Sequence, residues 1–283
     1  MTTVLITGTS SGIGLATAVT AARAGMTVVA TMRDLARDGD LRAAADRAGV
    51  TLDVRPLDVT DPASARACVK GVRETYGGLD ALVNNAGVSN FDPTMEMSTP
   101  EALRANFEVN FFGVIEVSRV AMPLLRAAGG RLVTVGSVHG VVGQPFNEAY
   151  AAAKAAVEGF MESLAPVAAA HGVRVSVVVP GFVSDTRFGI FPDINRKTIR
   201  AASGPYAPAF DAYLDWVCGP GWEGAGQTSW QVADVIVDAL TAADPPFRIP
   251  TGPWVAQYVA GKLADPDGSA VQSMARTWLG ATP

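Results

Sequence analysis

Val4-Leu5-Ile6-Thr7-Gly8-Thr9-Ser10-Ser11-Gly12-Ile13-Gly14 is the stretch on which the fold turns. An apolar run stops at Thr7, a glycine cluster follows, and a helical pattern extends from about Gly12 to Ala24, with Gly25 as its cap. Glycines permit a tight turn and let backbone approach a pyrophosphate, while the helix start supplies free N–H groups and a positive dipole end. A glycine trio is weak evidence in a chain with 29 glycines. Its position after a strand and before a helix is what gives it weight. The segment is therefore expected to hold a dinucleotide through Gly8, Ser10, Ser11, Gly12, Ile13 and Gly14.

The same alternation continues outward. Strands are expected at 27–31, 52–57, 79–83, 131–135 and 173–179, with helices at 36–48, from Asp61-Pro62, at 100–127 and at 147–170. Asp61 reads as an N-cap and Pro62 as the first helical residue. Beyond Gly181 the rhythm breaks: an irregular stretch with one helix at 207–217 precedes a helix at 231–242 and a last strand at 247–250. Strands this apolar, each followed by a helix, predict a single-domain α/β fold. It is a Rossmann-like doubly wound parallel sheet with helices on both faces. Residues 183–230 form an insertion within the single domain 1–283, and 252–283 a C-terminal extension.

Composition narrows the partners. The chain has 283 residues, 49% apolar and 17% charged, with net charge −5. Disorder is excluded by the apolar content, and a nucleic-acid partner is not expected of an acidic chain without a basic run. No stretch approaches the ~20 apolar residues of a membrane span. The start Met1-Thr2-Thr3-Val4 lacks the features of a secretory leader, so a cytoplasmic protein is expected. Cys68 and Cys218 are isolated, and His139 and His171 are the only histidines, so neither a disulfide framework nor a metal site is expected.

Further motifs follow in a fixed order: Asp58-Val59, Asn84-Asn85-Ala86-Gly87, Asn110-Phe111-Phe112-Gly113, Gly136-Ser137, Tyr150 with Lys154, and Pro180-Gly181. With the G-x-x-x-G-x-G spacing of the first turn, this set resembles the compact branch of the short-chain dehydrogenase/reductase family over roughly residues 2–188. The runs 30–35 and 246–252 are similar to its 17β-hydroxysteroid and retinol dehydrogenase-like members. The resemblance implies an NAD(P)-dependent oxidoreductase interconverting a ketone and a secondary alcohol. It places Asp58 and Val59 at the adenine, and Asn85, Ala86 and Gly87 along the cofactor cleft. It puts Pro180, Gly181, Val183 and Thr186 at the cofactor, with Thr186 on the carboxamide. It assigns Asn110 a water that relays protons through Lys154. It also implies a homodimer or homotetramer built on helices 100–127 and 147–170.

Tyr-x-x-x-Lys occurs twice, at Tyr150/Lys154 and Tyr258/Lys262. Only the first has a serine thirteen residues upstream at a strand end, Ser137, so the second reads as coincidence. Tyr150 and Lys154 share one helix face. A hydride exchanged between a nicotinamide and a carbonyl carbon needs a proton exchanged at the oxygen, and Tyr150 is the expected acid/base. Lowering a tyrosine pKa by ~3 units takes about 4 kcal/mol, which the Lys154 ammonium and an oxidised nicotinamide can supply. Lys154 is expected on the nicotinamide ribose and Ser137 as a donor to the substrate oxygen.

Strand two ends Thr31-Met32-Arg33-Asp34, without a carboxylate in the slot that bonds a ribose 2′-hydroxyl. Arg33 therefore points to NADP rather than NAD, and Asp34 to the start of the next helix. Eight of the 43 residues 188–230 are aromatic (Phe188, Phe191, Tyr206, Phe210, Tyr213, Trp216, Trp222, Trp230), against 21 of 283 overall. Either they pack the segment onto its own domain, or they line a pocket for a bulky apolar ketone under a mobile lid. For His139 an ordinary loop position is the plainer reading, and for Phe91, Met95 and Met97 core packing. The competing function is a non-catalytic redox sensor on the same fold; retention of Asn110, Ser137, Tyr150 and Lys154 argues against it.

Overall fold

The computed structural model describes residues 2–88, 92–186, 193–219 and 226–280. Seven parallel strands form one sheet: β1 (Thr3–Thr7), β2 (Thr27–Met32), β3 (Asp53–Pro56), β4 (Ala81–Asn84), β5 (Arg131–Val135), β6 (Arg174–Val179) and β7 (Arg248–Pro250). Their order is β3-β2-β1-β4-β5-β6-β7, so the winding reverses between β1 and β4. In such sheets the crevice beyond that reversal is where ligands bind.

Alternation along the strands makes two cores. Leu5 and Val29 face α3 (Pro62–Tyr76), α5 (Val114–Ala128) and α7 (Glu148–Ala169), packing against Val69, Val117 and Met161. Val4, Ile6 and Val28 face the opposite layer, α1 (Gly12–Arg23), α2 (Gly39–Ala48) and α10 (Ser229–Thr241), through Val19, Leu41 and Ile236. A third apolar cluster lies beyond the sheet. It joins Phe146, Phe210, Tyr213, Leu214, Val217 and Trp278.

Local signals act as their chemistry dictates. The Asp61 carboxylate accepts from Ala63 N, capping α3, and Gly49 and Gly77 end α2 and α3 in the left-handed region. Asp34 accepts from Ala36 N and caps a tight turn at Leu35–Arg37, which interrupts the helix expected at 36–48. The helix expected at 100–127 is not continuous. It divides into α4 (Pro100–Phe107), a wider π-helical turn at Glu108–Gly113 and α5. That turn carries Asn110, whose carboxamide pairs with both backbone groups of Val88. Four helices had no sequence expectation: α6 (Val138–Val141), α8 (Asp193–Ala202), α11 (Pro253–Leu263) and α12 (Ser269–Trp278). The helix expected at 207–217 is α9 (Ala207–Val217). No described helix is long and apolar enough to cross a membrane.

Gly14 cannot carry a side chain: a Cβ there would lie 2.2 Å from Gly8 O and 2.4 Å from Asn85 Nδ2. Gly14→Ala should therefore lower stability by about 1–3 kcal/mol through overpacking. Gly159, inside α7 with open space where a Cβ would stand, is the control. Gly159→Ala should stabilise by about 0.5–1 kcal/mol. Denaturant unfolding of the two variants checks both signs.

Candidate active site

A cleft of about 470 Å³ opens at the C-terminal ends of β1, β4, β5 and β6. Its floor is the turn from β1 to α1. Gly8 and Gly12 adopt positive φ (72° and 57°), and a Cβ on Gly8 would meet Ala86 Cα at 2.7 Å. Thr7 ties the two sides together: its Oγ1 accepts from the backbone N of Asn85 and of Ala86, both at 3.0 Å. Asn85 Nδ2 returns bonds to Thr7 O (2.9 Å) and Gly8 O (3.0 Å). Ser11 makes no side-chain capping bond, so the first N–H groups of α1 stay open to a ligand's oxygens. A cradle that excludes side chains and presents free N–H groups fits a pyrophosphate.

The predicted cofactor residues Gly8, Ser10, Ser11, Gly12, Ile13, Gly14, Arg33, Asp58, Val59, Asn85, Ala86, Gly87, Pro180, Gly181, Val183 and Thr186 all line this cleft. At the end of β2, Thr31 is buried and donates to Ile6 O at 2.9 Å. Asp34 accepts from Ala36 N through one carboxylate oxygen and lines the cleft beside Arg33. Arg33 lines the cleft, and so does Arg37, which the sequence reading missed. Neither arginine has an ion pair among the described residues. Asp58 Oδ1 accepts from Thr60 N and Oγ1, which fixes its carboxylate in the wall.

The catalytic candidates converge across the cleft. Ser137 lies two residues past β5 and caps α6, its Oγ accepting from His139 N at 3.2 Å. Tyr150 and Lys154 project from α7 and are almost fully buried. Burial pushes the Tyr150 phenol up to about 12, partly offset by its hydrogen bond with Ser137. Burial also pulls the Lys154 ammonium down to about 8. Lys154 Nζ donates to Val135 O at 2.9 Å and lies 5.8 Å from the Tyr150 ring centroid. The protein by itself therefore does not lower the tyrosine; at neutral pH it holds a neutral phenol beside a cation. Both N–H groups of Asn110 are committed, to Val88 O (2.8 Å) and Asn106 Oδ1 (2.7 Å). Asn110 itself does not line the cleft; fully buried, it braces the wall residue Val88 from behind.

Other expectations separate here. His139 is not an ordinary loop residue: it lines the cleft, and its ring meets that of Tyr150 edge to face, centroids 5.5 Å apart. Tyr258 and Lys262 lie on α11 and do not line the cleft; Tyr258 stacks on Trp254. Of the aromatic residues at 188–230, Phe210 is fully buried and Trp216 stacks on Trp278 at 4.5 Å. These two are packing residues, because α12 supplies a partner layer that the sequence reading did not anticipate. Trp230 is exposed, and the Tyr206 hydroxyl donates to Glu96 at 2.6 Å. Tyr213 reaches the cleft, together with Val217, Phe182 and Gln144. Met95 and Met97 are exposed and do not line it. Phe91, Phe188, Phe191 and Trp222 lie outside the described residues.

Comparison with known proteins agrees with this architecture. The family model described as short chain dehydrogenase matches residues 2–191. Retinol dehydrogenase 8 of Bos taurus is 38% identical over 281 residues, covering 94% of this chain and 86% of that one. The 17-beta-hydroxysteroid dehydrogenase type 1 of Homo sapiens is 34% identical over 296 residues, covering 100% and 87%. A solved metagenomic short-chain oxidoreductase in complex with NADP superposes with TM-score 0.69 at 25% identity, covering 88% and 96%. The chain belongs to the short-chain dehydrogenase/reductase family, whose members are oxidoreductases that bind a nicotinamide dinucleotide.

The buried ammonium has a stability signature. Its folded pKa of about 8 lies below the ordinary 10.5, so below pH 8 the folded state carries the full burial penalty. That penalty, about 3 kcal/mol, fades as pH rises from 8 towards 10.5, and stability should rise with pH across this window. Lys154→Met should raise Tm by a few degrees at pH 7 and flatten the pH dependence, while abolishing turnover. Thermal unfolding from pH 7 to 10 measures this.

Proposed function

We propose that the protein is an NADPH-dependent reductase of bulky apolar ketones, with Tyr150 as the proton donor. The observation that carries this reading is the convergence of Ser137, Tyr150 and Lys154 on the cleft at the sheet's ligand-binding edge, with Tyr150 and Lys154 buried and the Lys154 Nζ 5.8 Å from the Tyr150 ring centroid. The bound dinucleotide supplies a hydride to the carbonyl carbon. Ser137 orients the carbonyl oxygen and donates to it as negative charge develops. Tyr150 gives its O–H proton to that oxygen, completing a secondary alcohol. Lys154 stabilises the resulting phenolate and takes the nicotinamide ribose hydroxyls. A bound nicotinamide in its oxidised state would add positive charge beside Lys154 and further stabilise the phenolate.

Arg33, reinforced by Arg37, takes the 2′-phosphate that distinguishes NADPH; no other residue competes for either guanidinium among the described residues. Apolar walls at Val138, Phe182, Tyr213 and Val217 favour a bulky carbon skeleton, in keeping with the names of the retinol and hydroxysteroid relatives. Val183 and the α9 residues Tyr213 and Val217 close one side of the cleft beside the reacting atoms. Phe112, Phe160 and Val167 leave an exposed apolar face on the π-helical turn and α7, suited to a second copy of the chain.

Tyr150→Phe removes the proton donor alone and should cut kcat at least ~10²-fold, with little change in NADPH affinity. Single-turnover assays and a fluorescence titration separate the two effects. Arg33→Ala should raise the KM for NADPH by ~10-fold, the worth of one charge-assisted contact, and leave NADH kinetics almost unchanged. A wild-type preference for NADH would contradict the cofactor assignment.

A further inference from the structure

Tyr150 is the third residue of α7, so its position depends on the turn from which that helix starts. Gln144-Pro145-Phe146-Asn147 forms this turn, and it is strained. Phe146 adopts φ 58°, in the left-handed region, and among the described residues no other non-glycine residue has a positive φ. A bulky side chain in that region is costly and persists only where its surroundings hold it there. Here the Phe146 ring is buried against Phe210, centroids 5.2 Å apart, and against Tyr213 at 5.9 Å. Its carbonyl accepts from Asp92 N at 3.3 Å.

Asn147 stands at the N-cap of α7, where an asparagine side chain ordinarily accepts from the helix's own N–H groups. It makes no such bond. Its Nδ2 instead donates to Pro145 O at 2.9 Å and to the Tyr213 hydroxyl at 3.2 Å. At the other end of the turn, Gln144 Oε1 accepts from that same hydroxyl at 2.8 Å. Gln144 Nε2 donates to the Tyr258 hydroxyl of α11 at 3.3 Å. One oxygen on α9 therefore joins both ends of the turn. Tyr213 is 1% exposed, and burial pushes its phenol far above the ordinary tyrosine range, so it keeps the proton it gives to Gln144. Tyr213 lines the cleft, yet its hydroxyl is committed to the turn.

We propose that the Tyr213 hydroxyl is a positioning group for proton transfer: by joining Gln144 to Asn147 it holds the strained turn in shape, and through the start of α7 it sets the place of the Tyr150 hydroxyl. This rests on the carbonyl-reductase reading above and adds to it a group that acts on the chemistry without touching substrate. The effect passes through a short stretch of helix, Glu148, Ala149 and Tyr150. A reacting group misplaced by about 1 Å can lose ~10²-fold in rate, so a small change in the turn is enough. The ring contacts among Phe146, Phe210 and Tyr213 keep the turn packed without the hydroxyl, so its loss is felt in rate rather than in folding.

Tyr213→Phe removes the hydroxyl and keeps the ring. With NADPH and the full-length protein, kcat should fall about tenfold, the factor for one neutral hydrogen bond, with KM unchanged to within about twofold. The loss should be the same for cyclohexanone as for the larger tetralone. In single turnover it should vanish in a Tyr150→Phe background, because a group that acts through Tyr150 then has nothing to position. A loss confined to tetralone, or one carried by KM, would mean that the hydroxyl contacts substrate and would overturn the inference. So would an unchanged kcat, or a loss of the same size in the Tyr150→Phe background. If Tyr213→Phe does not fold, Tyr258→Phe takes its place, because it releases Gln144 and leaves the cleft lining untouched. Its expected loss is about threefold in kcat for both ketones, the low end for one neutral hydrogen bond, and an unchanged kcat there overturns the inference. In each of these cases the reductase reading stands. Wild-type protein that reduces neither ketone would remove that reading and this inference together.

Discussion

Backbone of the β1–α1 turn runs against the backbone that leaves β4, and the space between them admits no side chain. A Cβ on Gly8 would overlap Ala86, and one on Gly14 would overlap Gly8 O and the Asn85 carboxamide. Thr7 and Asn85 hold the two segments together with four hydrogen bonds. This contact closes the floor of the cleft at the point where the strand order reverses. It also sets where α1 begins, hence where open N–H groups can meet phosphate oxygens. Everything else in the site is placed relative to that floor: Gly87-Val88 follows directly and is held by Asn110, whose π-helical turn lies between α4 and α5.

Such positioning costs stability at the reacting centre. Lys154 keeps an ammonium in surroundings that disfavour it, and Tyr150 keeps a proton more firmly than a tyrosine in water. For a proton donor the second property is useful before hydride transfer and would be a handicap after it. The two buried groups are offset against each other and against the charge that a nicotinamide acquires on oxidation. In the reaction proposed above, one arrangement would thereby serve as an acid in one direction and a base in the other.

Much of this was legible in the sequence because local chemistry dictates it. Asp61-Pro62, Gly49 and Asp34 act through their own backbone neighbours, and strands as apolar as Val4–Ile6 or Val175–Val179 demand two covered faces. The order of the short motifs located the catalytic candidates. What escaped notice depends on contacts distant in sequence. The π-helical turn keeps the apolar pattern of an α-helix, so hydrophobic periodicity does not register it. Aromatic density near α9 leaves packing and a substrate wall equally open in the sequence, because α12, which packs Trp278 on Trp216, gives no signal there. Arg37 and His139 became site residues only when a short turn and a short helix aimed them at the cleft.

Tracing the hydride tests the account most directly. NADPH carrying deuterium at the transferable position of C4, incubated with the protein and a bulky ketone, should yield a secondary alcohol with one deuterium on the carbinol carbon, detected by mass spectrometry and proton NMR. Product without deuterium at that carbon, or cofactor recovered fully labelled and reduced after prolonged incubation with every ketone offered, would contradict it.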